Sequence, residues 1–193
     1  MLNHTGSVVL ETDRLILRKF QLTDAKNMFN NWAASPEVTR YVTWFPHSSV
    51  EVSKNVIEAW IDEYQEPDYY QWAIVVKDIK QPIGSIGVVR MNSDAASAEM
   101  GYCIGDKFWH QGYTSEALFC IMKYLFEVVG FNRISAIHDI RNPHSGDVMK
   151  KCGMKYEGTV REEQLTKEGQ LLTYSIYAAL RTEWKKEMKL SNE

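Results

Sequence analysis

The sequence predicts a single mixed α/β domain built on a mostly antiparallel sheet. The 193 residues fall within the usual size of one globular domain, and no repeat or linker divides them. Runs typical of strands and helices follow one another in the order β-αα-βββ-α-β-α-ββ. We therefore expect one domain over residues 1–193, with a core from about 8 to 180 and a charged helix or tail over 181–193.

The first half of the chain predicts a strand, two helices and an antiparallel meander. Val8 to Phe20 has the apolar and charged alternation of a first strand. Thr23-Asp24 is typical of the start of a short helix through Ala33, and Ser48 to Glu51 of the start of a longer helix through Tyr64. Three further β-rich runs predict the meander, namely Tyr69 to Lys77, Pro82 to Met91 and Ala98 to Ile104.

The second half alternates helices with strands and ends in a hairpin. Ser115 to Val129 carries apolar residues at three- and four-residue spacing, which predicts an amphipathic helix that Gly130 ends. Arg133 to Ile140 predicts a strand, and Pro143 to Cys152 a short helix with proline in its first turn. The remaining predictions are two strands and a charged terminal helix or tail, at Met154 to Thr166, Leu171 to Leu180 and Arg181 to Leu190.

Composition argues against several classes of function. The net charge of −3 and the sequence pI near 6.0 provide no general positive field for a nucleic-acid backbone. No apolar run is long enough to cross a bilayer and no leader pattern opens the chain, so we expect a cytoplasmic protein without membrane contact. The three cysteines are odd in number and widely spaced, and neither they nor the histidines have metal-ligand spacing. Reduced thiols and no metal are expected.

The segment from Trp109 to Ala117 carries the strongest sign of function. It joins the strand ending near Ile104 to the predicted helix from Ser115, and Gly112 at its centre lets a ligand approach the backbone. The unpaired N–H groups and the dipole of a helix start bind phosphate without a basic side chain. Neither of the common nucleotide-binding glycine motifs is present. By itself the segment indicates only an anion site.

Blocks spread along the chain carry a family resemblance. They are Leu10 to Arg18, Ser35 to Tyr41, Trp109 to Ala117, Asn132 to Ile134, Arg141 to Ser145 and Lys151 to Gly158. In this order they resemble the GNAT superfamily, in the branch that includes the ribosomal-protein N-terminal alanine and serine acetyltransferases. The third block is similar to the family's coenzyme A loop, Q/R-x-x-G-x-G/A, and departs from it at Thr114. The resemblance covers nearly the whole chain. It implies a GNAT-like acyl-CoA N-acyltransferase fold, a twisted and mostly antiparallel sheet with a splayed central strand pair and flanking helices.

The resemblance also implies a reaction, an N-acetyl transfer from acetyl-CoA as cosubstrate to a primary amine. The cofactor is expected in the splay between Gly101 to Ile104 and Arg133 to Ile140. Main-chain groups would pair with its pantetheine amides, and the loop before the helix would hold its pyrophosphate. The expected cofactor-binding residues are Cys103, Ile104, His110, Gln111, Gly112, Tyr113, Thr114, Ser115, Asn142 and Ser145.

Attack of a neutral amine on a thioester needs a base for the ammonium proton and an acid for the leaving thiolate. Glu99 precedes the cofactor contact on its strand and is the expected base; the alternative is that it faces solvent or pairs across the sheet. Ser145 is the expected acid because Met149 stands where many family members have tyrosine; the alternative is a hydroxyl that bonds its own backbone. Glu162 and Glu163 are alternative bases.

The acceptor wall is expected among aromatic residues around the connection between the first two helices, with core packing as the alternative. These residues are Trp32, Tyr41 and Trp44, with Phe45 beside them. An α-amine with a pKa of ~8 costs only about 1.4 kcal/mol to neutralise at pH 7, against about 4.6 kcal/mol for a lysine at ~10.4. A weak base therefore favours an α-amine as the acceptor, such as the N-terminus of a ribosomal or other protein.

Two other interpretations stay open at this point. A polyamine, an amino acid or an antibiotic would also present a primary amine to such a site. A catalytically silent acyl-CoA sensor or interaction module would need the binding residues without the chemistry. The final strands also offer a surface for a homodimer.

Overall fold

The computed structural model describes residues 1–184, and within them one eight-stranded mixed sheet has helices on both faces. The strands are β1 (Leu10–Glu11), β2 (Leu15–Arg18), β3 (Gln71–Val76), β4 (Gln81–Asn92), β5 (Ser97–Ile104), β6 (Arg133–Asp139), β7 (Lys155–Leu165) and β8 (Leu171–Leu180). Their order in the sheet is β1-β2-β3-β4-β5-β6-β8-β7, and every neighbouring pair is antiparallel except β5 with β6. The predicted mixed, mostly antiparallel sheet is confirmed.

The helices of the described chain are α1 (Ala25–Met28), α2 (Val50–Glu63), α3 (Tyr113–Tyr124) and α4 (Pro143–Lys151). A 3₁₀ turn at Leu22–Asp24 precedes α1. π-helical turns extend α1 over Phe29–Ala33 and α3 over Leu125–Val129. Ser49 caps α2 by accepting the amide of Val52, as the sequence predicts. No helix in residues 1–184 has the length and apolar character needed to span a bilayer. Residues 181–184 are helical, and the rest of the predicted charged segment lies outside the described residues.

The prediction of one strand from Val8 to Phe20 is wrong in its extent. β1 and β2 are separate strands that pair with each other, with Leu10 opposite Leu17. Thr12 turns the chain between them: its amide donates to the Leu15 carbonyl at 3.0 Å, and its Oγ1 accepts the Leu15 amide at 2.9 Å. Such local side-chain bonds compete with extended structure. The alternation of apolar residues continues across the turn, so the sequence pattern does not indicate that the strand is interrupted.

The two faces of the sheet bury separate apolar clusters. α3 packs on one face, where Met100 and Ile104 of β5 belong to the larger cluster. The helical segment around α1 packs with α2 on the other face, and Cys103 packs against the cluster there. Because side chains alternate along a strand, Glu99 lies on the same face as Cys103, and Tyr102 lies on the face of α3. β5 therefore presents its carboxylate and its phenol on opposite sides of the sheet.

β5 and β6 pair along only their first halves. Their parallel register runs from Ser97 opposite Arg133 to Met100 opposite Ala136. β5 stays paired with β4 as far as Ile104, and β6 stays paired with β8 as far as Asp139. Among the described residues no strand fills the gap between them beyond Met100, so the expected splayed central pair is confirmed.

Candidate active site

The start of α3 has the geometry of an anion-binding helix terminus. Gly112 is its N-cap, with φ of +81° in the left-handed region that glycine adopts without strain. No side chain of the described residues caps this helix, so its first N–H groups are left for a ligand. Thr114 is helical and only 9% exposed, so this departure from the family motif does not occupy the loop surface.

Side-chain bonds hold the loop before Gly112 against the end of β5. The indole N–H of Trp109 donates to the Ile104 carbonyl at 2.9 Å, and the side-chain amide of Gln111 donates to the Lys107 carbonyl at 3.0 Å. The ring of His110 lies 5.0 Å from that of His144, centroid to centroid, in an edge-on arrangement. The loop and the start of α4 therefore meet near the splay.

Arg14 also reaches this loop, a contact that the sequence does not predict. Its Nη1 donates to the Gln111 carbonyl at 3.0 Å, and its guanidinium lies over the Tyr113 ring at 4.5 Å. The residue is 97 positions away from Gln111 along the chain. Its place within the predicted strand from Val8 to Phe20 indicates only one of the alternating charges of that strand, so nothing in the sequence predicts its contact with the loop.

The splayed edge of β5 carries Cys103 and Ile104. Burial raises the pKa of the Cys103 thiol to about 12, so the thiol stays protonated at neutral pH. Because only a thiolate attacks a thioester efficiently, Cys103 is not equipped to form an acyl-enzyme. The carbonyl of Ile104 already accepts the Trp109 indole N–H, which leaves the Ile104 amide for a ligand. Cys103 lies opposite Ser85, and the amide of Gly105 donates to the Ile83 carbonyl, so by alternation the main chain of Cys103 faces β4 rather than the splay.

The first turn of α4 faces β5 through Ser145. The Tyr102 hydroxyl donates to the Ser145 carbonyl at 2.9 Å and lies 3.0 Å from Ser145 Oγ. Burial raises the pKa of Tyr102, so the phenol stays neutral and able to donate a hydrogen bond. Asn142 is the N-cap of α4, but its side chain does not cap the helix. Met149 is fully buried in the apolar cluster. The structure thus brings a phenol to Ser145 from β5 rather than from α4.

Glu99 is half-buried on the opposite face of β5. Burial raises its pKa above the ordinary value, and the charge of Arg90, its cross-strand neighbour, opposes that rise. The alternative base Glu163 is already engaged, since it accepts the Tyr174 hydroxyl. A shallow cavity beside Glu99 is lined by Arg90, Met91, Asn92, Ser97, Ala98, Glu99 and Ser135.

Comparison with known proteins decides the family. A family model described as an acetyltransferase (GNAT) domain matches residues 14–155, which is more than half of the chain. The chain belongs to the GNAT acetyltransferase family. The resemblance found in the sequence is therefore confirmed at the level of the family.

Curated relatives of this GNAT acetyltransferase agree with that assignment. The uncharacterized N-acetyltransferase YoaA of Bacillus subtilis (strain 168) is 34% identical over 154 residues, which cover 80% of this chain and 86% of the relative. The uncharacterized N-acetyltransferase p20 of Bacillus licheniformis is 30% identical, with 91% and 97% covered. The ribosomal protein uS5-alanine N-acetyltransferase of Escherichia coli (strain K12) is 26% identical, with 94% and 95% covered.

Solved structures share the fold. The GNAT-family acetyltransferase from Bacillus anthracis has a TM-score of 0.79 at 22% identity, with 91% of this chain and 99% of that chain covered. The microcin C7 self immunity acetyltransferase MccE, solved in complex with acetyl-CoA and AMP, has a TM-score of 0.77 at 19% identity, with 88% and 93% covered.

The aromatic residues expected at the acceptor wall of the GNAT domain fall into two groups. Trp32 is only 1% exposed and packs against Phe20 in the core, because the amphipathic helical segment that carries it turns this side to the sheet. The alternative of core packing therefore holds for Trp32. Tyr41 and Trp44 are partly exposed, and Trp44 lies 5.2 Å from the His47 ring. Trp44 also packs against the apolar cluster on that face of the sheet, and a role of these two residues at the acceptor stays a prediction.

A lysine from the β7–β8 turn ties down the loop that carries Tyr41 and Trp44. Lys167 Nζ donates to the Thr39 carbonyl and, at 3.1 Å, to the Trp44 carbonyl, and its side chain is only 5% exposed. Lys167 lies between the predicted strands Met154 to Thr166 and Leu171 to Leu180, so the sequence predicts only a turn at this position. Within residues 1–184 no group of three or more His, Cys, Asp or Glu side chains is arranged to hold a metal ion.

Proposed function

We propose that this GNAT acetyltransferase moves the acetyl group of acetyl-CoA to a primary amine by direct attack within a ternary complex. The observation that carries the proposal is the splay between β5 and β6, which lies beside the open helix start at Gly112. An unpaired strand edge suits the pantetheine amides, and free helix N–H groups suit the pyrophosphate. The relative MccE was solved with acetyl-CoA, which supports this choice of cosubstrate.

Residues from both faces of β5 would divide the chemistry. The amine nitrogen bonds to the acetyl carbon, the carbon–sulfur bond breaks, and the ammonium proton passes to Glu99 directly or through water. Ser145 would donate to the sulfur as negative charge develops there, and the phenol of Tyr102, which donates to the Ser145 carbonyl, would hold the start of α4 in place for it. Cys103 takes no covalent part because its raised pKa keeps the thiol protonated.

The acceptor that these features favour is the α-amine of a peptide or protein N-terminus. Glu99 is a modest base even with its raised pKa, and an α-amine needs far less help to lose its proton than a lysine side chain does. The relative named for alanine of ribosomal protein uS5 spans nearly the same length, which supports a ribosomal-protein N-terminus as one such acceptor. A small amine is the second candidate because the cavity beside Glu99 is shallow and charged.

Calorimetry and a thiol-release assay test the proposal together. We expect acetyl-CoA to bind, and thiol release to require a peptide with a free N-terminal alanine or serine. The matched controls are the same peptides with a blocked N-terminus and an internal lysine, together with a polyamine and a free amino acid. Release with only the small amines would replace the peptide acceptor. Binding without release for every amine would identify a silent acyl-CoA binder, and absence of binding would refute the cosubstrate.

A further inference from the structure

The N-terminal hairpin places a positive charge on the proposed coenzyme A loop. Arg14 bonds the Gln111 carbonyl and covers the Tyr113 ring, and a Cβ built on Gly112 would lie 3.5 Å from Arg14 Nη2. Arg14 therefore contacts or adjoins three successive residues at the start of α3. The loop itself, from Trp109 to Ser115, contains no lysine or arginine.

An acid in the first turn of α3 holds this arginine in place. Glu116 Oε2 accepts Arg14 Nε at 2.7 Å and lies 2.5 Å from Nη2, while Oε1 accepts the Thr12 hydroxyl at 2.5 Å and the Arg14 amide at 3.1 Å. Burial would raise the pKa of Glu116, but the hydrogen bonds from Thr12 and Arg14 outweigh it and lower the pKa below its ordinary value. Glu116 is thus a charged carboxylate at neutral pH.

A carboxylate in this position opposes the binding of a phosphate. Both anions are attracted to the same positive end of the α3 dipole, and they repel each other at short range. Arg14 offsets the charge of Glu116 because its Nε and Nη2 both contact Oε2 in short, charge-assisted bonds. Loss of Arg14 alone would leave an unmatched negative charge beside Gly112.

We propose that Arg14 is a positioning residue for the pyrophosphate of acetyl-CoA, which neutralises Glu116 and holds the main chain of residues 111–113 for phosphate binding. The inference rests on the proposed use of acetyl-CoA. It differs from a purely structural tie because Glu116 becomes harmful to binding once Arg14 is removed. Removing the charges of both Arg14 and Glu116 should then restore part of the affinity that is lost when Arg14 alone is removed.

The test is calorimetric binding of free coenzyme A to the full chain and five variants, with thermal unfolding of each as a control of folding. We expect Arg14→Gln to weaken binding about tenfold or more, Glu116→Gln to weaken it less, and the double variant to bind more tightly than Arg14→Gln alone. Arg14→Lys keeps the charge and should keep most of the affinity. Arg133→Gln removes another Arg–Glu pair, in which Nη2 of Arg133, the first residue of β6, lies 2.5 Å from Glu157 Oε2. This variant should leave binding unchanged.

The chemical probe that isolates the phosphates is pantetheine, which lacks them. Arg14→Gln should leave the weak binding of pantetheine unchanged, and steady-state assays should show a raised KM for acetyl-CoA with little change in kcat. A double variant no tighter than Arg14→Gln, or an equal loss of pantetheine binding, would overturn the inference. If Arg14→Gln does not fold, the coenzyme A affinities of Arg14→Lys and Glu116→Gln are compared with that of the parent chain at low and high salt. Affinities equal to that of the parent in both variants would overturn the inference. A parent chain that does not bind coenzyme A would instead refute the proposed function.

Discussion

The two halves of the β5–β6 pair differ in what their backbones are used for. In the first half, from Ser97 to Met100, the main chains of the two strands pair with each other. The inward side chains of this half are at most 2% exposed, namely those of Ala98, Met100, Ile134 and Ala136. In the second half the strands diverge, and β5 continues as Gly101, Tyr102 and Cys103. The first half holds the sheet together, while the second leaves main-chain groups for another molecule.

This difference shows how a fold leaves room for a cosubstrate. Backbone N–H and C=O groups must be paired when they are buried, so a gap between central strands is stable only where water or a ligand fills it. β4 and β8 keep the outer edges of the diverging strands paired, which confines the opening to one place. The proposed chemistry gathers at its rim, with Glu99 on one face and the Tyr102–Ser145 contact on the other.

The largest expected effect tests whether the paired half also supplies the base. Glu99→Gln should lower kcat roughly 100-fold or more without changing the affinity for acetyl-CoA. A base acts only when it is unprotonated, so activity of the parent chain should rise as pH rises through the Glu99 pKa, which burial places above 4.5. The variant should lose this dependence. Its deficit should be greatest just above the Glu99 pKa, where the parent chain has its base while little of the amine is neutral, and the two rates should converge below that pKa.

Rate profiles with pH and calorimetry measure both effects of Glu99→Gln. The control is Glu163→Gln, since Glu163 is the alternative base on the same sheet and is bonded to Tyr174. A larger loss in Glu163→Gln than in Glu99→Gln would move the base to β7.

The next effect separates stability from binding in β5. Met100→Ala removes a side chain that is 2% exposed, and it should lower the free energy of unfolding by about 2–5 kcal/mol. Tyr102→Phe in the splayed half removes only a hydroxyl bonded to Ser145 and should lower that free energy by about 0.5–1.5 kcal/mol. Denaturant unfolding measures both. We expect turnover to fall more in Tyr102→Phe than in folded Met100→Ala, and the reverse order would contradict the division of roles.

A third prediction concerns Gly112, at the open helix start beside the splay. Valine there is strained by about 1–2 kcal/mol because φ is +81°. Relaxation of the loop relieves that strain in the free protein, and restoring the loop on binding costs the same free energy, so acetyl-CoA should bind about tenfold more weakly. Gly169 in the β7–β8 turn has φ of +77° with open space around it, so Gly169→Val carries the same strain away from the loop. Equal acetyl-CoA affinity of these two variants in calorimetry would argue against phosphate binding at Gly112.

The smallest effect lies at the closed end of β6. Arg133→Gln breaks a partly exposed pair with Glu157, and should lower the free energy of unfolding by about 0.2–1 kcal/mol at low salt. The pair lowers the Glu157 pKa, so its contribution is present above the ordinary value of 4.5 and is lost as pH falls through the lowered one. Thermal unfolding of both chains should therefore converge in acid and at high salt. A difference that persists in acid would point to packing by the arginine stem.

Much of the fold was predictable because its signals are local. The periodicity of α3, the proline at the start of α4 and the turns between the later strands all act within a few residues, and the structure confirms the elements they predict. The prediction failed at Thr12, where a side-chain bond turns the chain without interrupting the apolar alternation. Trp32 illustrates the same limit, since aromatic residues are found both in apolar cores and in the walls of binding sites, and the sequence does not distinguish the two.

The candidate site was predictable only in part, for the opposite reason. Gly112, Asn142 and Ser145 lie in motifs that a linear pattern exposes, and their roles stay predictions. Arg14, Tyr102 and Lys167 act through partners 97, 43 and 123 or more positions away, so nothing near them in the chain distinguishes them.

Residue type and spacing along the chain are sufficient to predict the family, the order of the elements and the glycine that opens α3. The separation of β5 and β6, the hydroxyl that meets Ser145 and the charge beside the proposed coenzyme A loop depend on the folded chain instead. Those features arise from contacts between segments brought together when two apolar clusters are buried on either face of one sheet.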